Sequence, residues 1–180
     1  MKELSPNDEA IVRALRKANV LQDIAGHMLD QREGVILVTC PDGDHFFDIF
    51  SRQLEMQEGQ CDKRIHTFGW HGGSIRLAAN SPANKRPDEH QIFLEEIRDA
   101  RTIKGINTVA LYAHAVCGKA DACNIDFLHL MHLHLQAKAA VKAMNDGISV
   151  ACFLHITYPD MRRRTYFVSR PDWDQWIGPH

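Results

Sequence analysis

Apolar positions along the chain fall into strand-length runs separated by helical spacings. Val35-Ile-Leu-Val-Thr39 and Thr108-Val-Ala-Leu-Tyr112 are rich in β-branched residues and have no polar face, the pattern of strands covered on both sides. Arg64 to Phe68 reads as another strand, closed by Gly69-Trp-His-Gly72-Gly73. Ile148 to Thr157 predicts a further strand that turns at Tyr158-Pro-Asp160 and returns as a hairpin over Thr165 to Val168.

Between these runs the spacing becomes helical. Ser5-Pro6-Asn7-Asp8 is a helix start, with Ser5 as N-cap, Pro6 at the first helical position and an acid in the first turn. Ile11, Val12 and Leu15, then Val20, Leu21 and Ile24, predict two helical pieces reaching about Asp30, so that residues 1–33 form an N-terminal helical arm. Asp44 to Met56 predicts a helix with Phe46, Phe47, Ile49, Phe50 and Leu54 on its apolar face. Glu89 to Thr102 follows a loop at Ser81 to Pro87, and a long helix over Phe127 to Met144 ends at Asn145-Asp-Gly147. Alternating strands and helices imply one α/β domain over residues 1–180, with a mostly parallel central sheet flanked by helices.

Composition narrows the function classes. At a net charge of -2 the chain lacks the basic field that nucleic-acid binding needs. Arg162-Arg163-Arg164 is the local exception and reads as a solvated turn or a subunit contact. No stretch has the length of a membrane span, and the start Met1-Lys-Glu-Leu-Ser-Pro lacks the apolar core of a signal peptide. Five cysteines, an odd number without an export signal, read as reduced thiols in a cytoplasmic protein rather than a disulfide framework.

Two segments carry the candidate chemistry. Cys40-Pro-Asp42-Gly-Asp44 and His114-Ala-Val-Cys117-Gly each follow one of the two apolar strand runs. Ligands of parallel sheets gather at the carboxyl ends of the strands. If the two strands are parallel neighbours, two thiols, an imidazole and a carboxylate converge, the donor types that suit zinc. Either segment alone is weak, because a free cysteine is most often simply buried.

Blander and rival readings compete. A thiol nucleophile, Cys40 activated by His114, leaves Cys117 without a role. His129 and His132 share a helix face while His134 diverges from His132 by about 200°, so that run falls short of a ligand set. Gly72-Gly73-Ser lacks the Lys of a phosphate loop and reads as a close backbone approach. Cys61, Cys123 and Cys152 read as inert thiols, and Trp173 and Trp176 as anchors for the C-terminal segment.

The order Cys-x-Asp, a glycine-rich segment, then His-x-x-Cys-Gly resembles the β-class carbonic anhydrases, over most of the chain. Phe68-Gly-Trp-His-Gly-Gly-Ser-Ile-Arg76 stands where that family has a strand followed by Arg-Asn-Ala-Gly. The resemblance implies zinc held by Cys40, His114 and Cys117, a lyase that hydrates carbon dioxide to bicarbonate, and a homodimer or higher homo-oligomer. If a water occupies the fourth position on that zinc, Asp42 would orient the hydroxide formed there and a free histidine such as His45 or His71 would shuttle the released proton.

One departure bears directly on that chemistry. The family's first motif is Cys-x-Asp-x-Arg, whose arginine holds the aspartate off the metal, and here the fifth position is Asp44. Two outcomes follow: Asp42 becomes a fourth ligand and closes the site, or another cation among Arg76, Lys119 and Arg52 restrains it. The first outcome makes the chain a catalytically silent zinc-binding homologue. The second leaves an enzyme acting through zinc-bound hydroxide on carbon dioxide or a similarly small molecule.

Overall fold

Six strands form one mixed sheet in the computed structural model, which describes residues 3–24, 31–57, 59, 64–144 and 147–178. In chain order the elements are α1 (Pro6–Lys17), β1 (Leu21–Asp23), β2 (Val35–Thr39), α2 (Phe46–Glu55) and β3 (Ile65–Gly69). A 3-10 turn (Gly73–Leu77) leads to α3 (Glu89–Lys104), β4 (Thr108–Ala115) and the short α4 (Gly118–Ala122). The chain then runs through α5 (Phe127–Ala143), β5 (Ser149–Thr157), β6 (Arg163–Val168) and α6 (Arg170–Ile177).

The strand order is β1-β6-β5-β4-β2-β3. β3, β2, β4 and β5 are parallel, whereas β6 runs antiparallel to β5 and β1 antiparallel to β6. The sheet is therefore not purely parallel: the hairpin from β5 turns the direction, and β1 extends the reversed edge. β2 and β4 sit in the interior and every residue of both is buried, which explains their unbroken apolar runs.

Helix starts follow the expected chemistry. The Ser5 side chain accepts from the Asp8 amide and Asp126 caps α5 by accepting from the His129 amide. One expectation fails at the N-terminus. α1 ends at Lys17, Asn19 turns the chain at φ 61°, and Leu21–Asp23 pairs with β6 as a strand rather than continuing a helical arm. Val20 and Leu21 satisfy an apolar helical spacing, but the edge of β6 offers their backbone a ladder instead. The stretch reaching Asp30 and the Asn145-Asp146 helix end lie outside the described residues.

The two faces of the sheet are unequal. The larger core lies between the sheet and α1, α3, α5 and the 3-10 turn; Trp173 of α6 joins it and Trp176 packs against it. The smaller core is covered by α2 through Ile49 and Met56, packed on Val35, Leu37, Ala110, Tyr112 and Phe153. Helix α2 begins at Phe46 and not at Asp44, and it turns Phe47 outward, 75% exposed. The fully buried Gln53 takes a place on its inner face, where its Oε1 accepts from the Tyr112 hydroxyl at 3.2 Å. No described helix is long and apolar enough to cross a membrane.

Candidate metal centre

The centre is built where β2 and β4 end side by side. Ile36 to Val38 of β2 register with Val109 to Leu111 of β4, so Cys40, one residue beyond β2, emerges beside the last turn of β4. His114 is still part of β4, which runs three residues further than its apolar pattern suggests. Cys117 follows as the N-terminal flank of α4. One donor atom from each of Cys40, His114 and Cys117 lies within 4.8 Å of the others, and all three residues are buried. Tetrahedral zinc with sulfur at about 2.3 Å needs ligand atoms roughly 3.8 Å apart, which this triangle can meet with small adjustments.

Glycine makes the approach possible. Gly73 sits at φ +57°, where a Cβ would come within 2.8 Å of the Cys40 amide nitrogen and 2.9 Å of the Tyr112 carbonyl oxygen. The 3-10 turn is thereby pressed onto the ends of β2 and β4, and the Gly72 amide donates to the Cys40 sulfur at 3.4 Å. The close backbone approach expected of Gly72-Gly73 is what the chain adopts.

The electrostatics suit a cation. The two cysteine sulfurs are hydrogen-bonded to one another; this pulls the Cys117 thiol down and, with burial, pushes Cys40 up. Both ring nitrogens of His114 are buried with no well-formed hydrogen bond among the described residues, the Cys117 thiol being the polar group beside the ring. An imidazole in that state carries an unmet cost of about 1–3 kcal/mol, which a bound ion would remove. The shift on Cys40 runs opposite to that of an activated thiol nucleophile.

Asp42 does not join the sulfur triangle. Its carboxylate forms a second one with His45 and His114, again with one donor atom each within 4.8 Å. The Asp42 Oδ1 accepts from the Asp44 backbone amide at 3.0 Å, while the Asp44 side chain is exposed. None of the three cations considered for Asp42 forms an ion pair with it: Arg76 pairs with Glu89 and Arg52 with Glu55, both at 2.6 Å, and the Lys119 stem packs near Gly72. What holds Asp42 is the main chain of its own loop.

Two further imidazoles cluster on the His114 corner of the triangle, one tilted against it and the next edge-on. The His45 ring lies 4.3 Å from His114 and 5.4 Å from His155, measured between centroids. Burial first, then the neighbouring imidazole, pushes His45 down to about 4 and His155 down to about 3, so both rings are neutral near pH 7. His155 occupies the register position directly opposite His114 on β5. Its Nδ1 bonds Thr165 Oγ1 at 2.9 Å and its Nε2 stands 3.9 Å from Asp48, which pairs with Arg163 at 2.5 Å. His155 is absent from the expected site, although a histidine inside the apolar run of β5 was a readable signal. His71 lies exposed on the loop after β3.

The other histidines and cysteines go elsewhere. His134 is fully buried, bonds Ser74 Oγ through Nδ1 at 2.6 Å and ties α5 to the 3-10 turn. His132 pairs with Gln136, and no metal cluster forms on α5 among the described residues. Cys152 is buried in β5, its thiol pushed up to about 12 by burial; Cys61 lies outside the described residues. Trp70 stacks between Phe68 and Phe93, at centroid distances of 5.3 and 4.3 Å.

A cavity of about 280 Å³ reaches Cys117 from the surface. Its walls include Ala115, Val116, Leu4 and Phe127, and its rim carries Glu3 and Asp8. Comparison of the chain with protein-family profiles, curated proteins and solved structures finds no match. The arrangement defines an α/β protein with a buried Cys/His cluster that could hold a metal ion.

Proposed function

We propose that the chain is a zinc protein of the β-class carbonic anhydrase type, acting on carbon dioxide or a similarly small neutral molecule. The observation that carries this reading is the buried Cys40–His114–Cys117 triangle at the carboxyl ends of two adjacent parallel strands, with neither nitrogen of His114 engaged outside the triangle in a well-formed hydrogen bond. Two thiolates and one imidazole favour zinc over the harder divalent ions. When bound, zinc would act as a Lewis acid and bring a water's pKa toward about 7.

The protein's own groups would divide the remaining work. Asp42, held by the Asp44 amide, keeps its carboxylate beside His114 and outside the sulfur triangle, which supports a fourth coordination position left for a small molecule. His45 stands against His114 as the group nearest to take up a released proton. The apolar walls of the cavity at Cys117 admit a small neutral molecule, and its acidic rim disfavours retention of an anion such as bicarbonate.

The second reading, a silent homologue whose metal only supports the fold, is favoured by the depth of the triangle: Cys40, His114 and Cys117 are 4%, 2% and 5% exposed. Under either reading the protein is cytoplasmic and, by the family resemblance, a homodimer or higher homo-oligomer. Elemental analysis of the purified chain with stopped-flow carbon dioxide hydration tests the proposal. Zinc bound near stoichiometry with hydration above buffer supports the enzyme; zinc without hydration leaves the silent homologue; no zinc overturns both.

A further inference from the structure

Asp42, His45 and His114 form a triangle with the geometry of a ligand set in its own right. His45 is 4% exposed at the start of α2, and its Nδ1 is hydrogen-bonded to the buried Thr157 Oγ1 at 3.4 Å. Histidine ligands characteristically bond a polar partner through the nitrogen that does not face the ion, which fixes the ring. Thr157 performs that service for His45 and leaves Nε2 to the triangle. On Asp42, one oxygen is occupied by the Asp44 amide and the other remains. His114 belongs to both triangles.

We infer that the centre has two metal stations sharing His114: a soft one with Cys40 and Cys117, and a hard one with Asp42 and His45. The hard station takes a first-row divalent ion through two imidazoles and a carboxylate, donors that suit cobalt, nickel and zinc. Both stations need His114, so a single ion occupies one or the other, and a second ion enters only where the imidazole bridges the two through its two nitrogens. The thiolate station holds the ion when both sulfurs are free, and the hard station holds it when they are not. This inference rests on the metal-binding reading above only through His114, so the two can fail separately.

Cobalt(II) chloride is the probe, since a thiolate bound to cobalt gives an intense near-ultraviolet charge-transfer band and imidazole or carboxylate ligands do not. The native chain is expected to bind about one cobalt per chain with that band. The Cys40→Ala/Cys117→Ala variant is expected to keep about one cobalt, without the band and with lower affinity, and further substitution His45→Ala is expected to abolish binding. Should the double variant not fold, the native chain treated with mercury(II), which takes two thiols linearly and leaves the imidazole, serves in its place. X-ray absorption must then report cobalt bound by nitrogen and oxygen alone.

The inference is overturned if the folded double variant, or the mercury-blocked chain, binds no cobalt. It is equally overturned if the His45→Ala substitution leaves that cobalt in place. A native chain that lacks the band while the double variant binds through His45 removes the thiolate reading and leaves the hard station standing.

Discussion

The backbone amide of Asp44 donates to Oδ1 of Asp42 at 3.0 Å, and the Asp44 side chain points away into solvent. The restraint on Asp42 thus comes from a peptide group that any residue except proline supplies. The Asp44 carboxylate takes no part in that hydrogen bond.

Replacement of the Asp44 side chain should therefore change little. Asp44→Ala and Asp44→Arg are expected to keep metal content and to shift stability by no more than about 0.5 kcal/mol. Asp44→Pro removes the donor and should free Asp42, altering metal affinity while far-ultraviolet circular dichroism stays native. Equal metal affinity in the alanine and proline variants would sink this account.

Gly73→Ala should be among the most damaging single substitutions in the protein. The added Cβ would press on the Cys40 amide at 2.8 Å and the Tyr112 carbonyl at 2.9 Å, neither of which can move without breaking the strand ends. A loss of more than about 2 kcal/mol in urea unfolding is expected, together with weakened metal binding. Gly118→Ala, whose Cβ meets nothing within 4 Å, is the matched control.

His134 predicts an acid-sensitive fold. Burial pushes its imidazole down from 6.5 to about 3, so the folded chain holds this ring neutral while the unfolded chain protonates it below about pH 6.5. The unfolded state then binds more protons, and stability falls as pH drops from about 6.5 toward 3, by up to about 1.4 kcal/mol per pH unit from this group. His134→Gln should flatten the slope by about one proton, measured as urea midpoints across that range.

Arg76 and Glu89 join the 3-10 turn to α3. Their ion pair is 2.6 Å long with both side chains mostly buried, and the Arg76 guanidinium also lies 4.6 Å from the Phe93 ring centroid. Glu89→Gln leaves a buried cation with a weaker partner and should cost about 2–3 kcal/mol, whereas Arg76→Met/Glu89→Gln should recover part of the loss. Arg76 holds the Glu89 carboxyl below its usual range, so the contribution is present above the unfolded carboxylate pKa and fades as pH falls through the folded one.

The sequence was most legible where one physical signal dominated. β2 and β4 are covered on both faces and so carry unbroken apolar runs, and Ser5-Pro6 encodes a helix start locally. The two segments that form the Cys/His cluster were readable because each follows such a run. The edge of the sheet was not, because Leu21–Asp23 is a strand only by virtue of β6, which lies about 145 residues away in the chain. His155 entered the site through register with His114, a property of the assembled sheet. Asp42 does lie beside His114, but its restraint was sought in a cation and the hydrogen bond that holds it is in its own turn.

The two arms of the thiolate triangle lie on either side of some seventy residues that include α2, β3 and α3. The pairing of β2 with β4, with the 3-10 turn pressed onto both strand ends, closes that loop. A nascent chain therefore offers a metal no more than the local His114-x-x-Cys117 fragment, a weak two-donor chelate. Full affinity would arise only after this long-range contact between β2 and β4 has formed. Ion capture in such a chain would report completed folding of its central strands and would have no part in starting it.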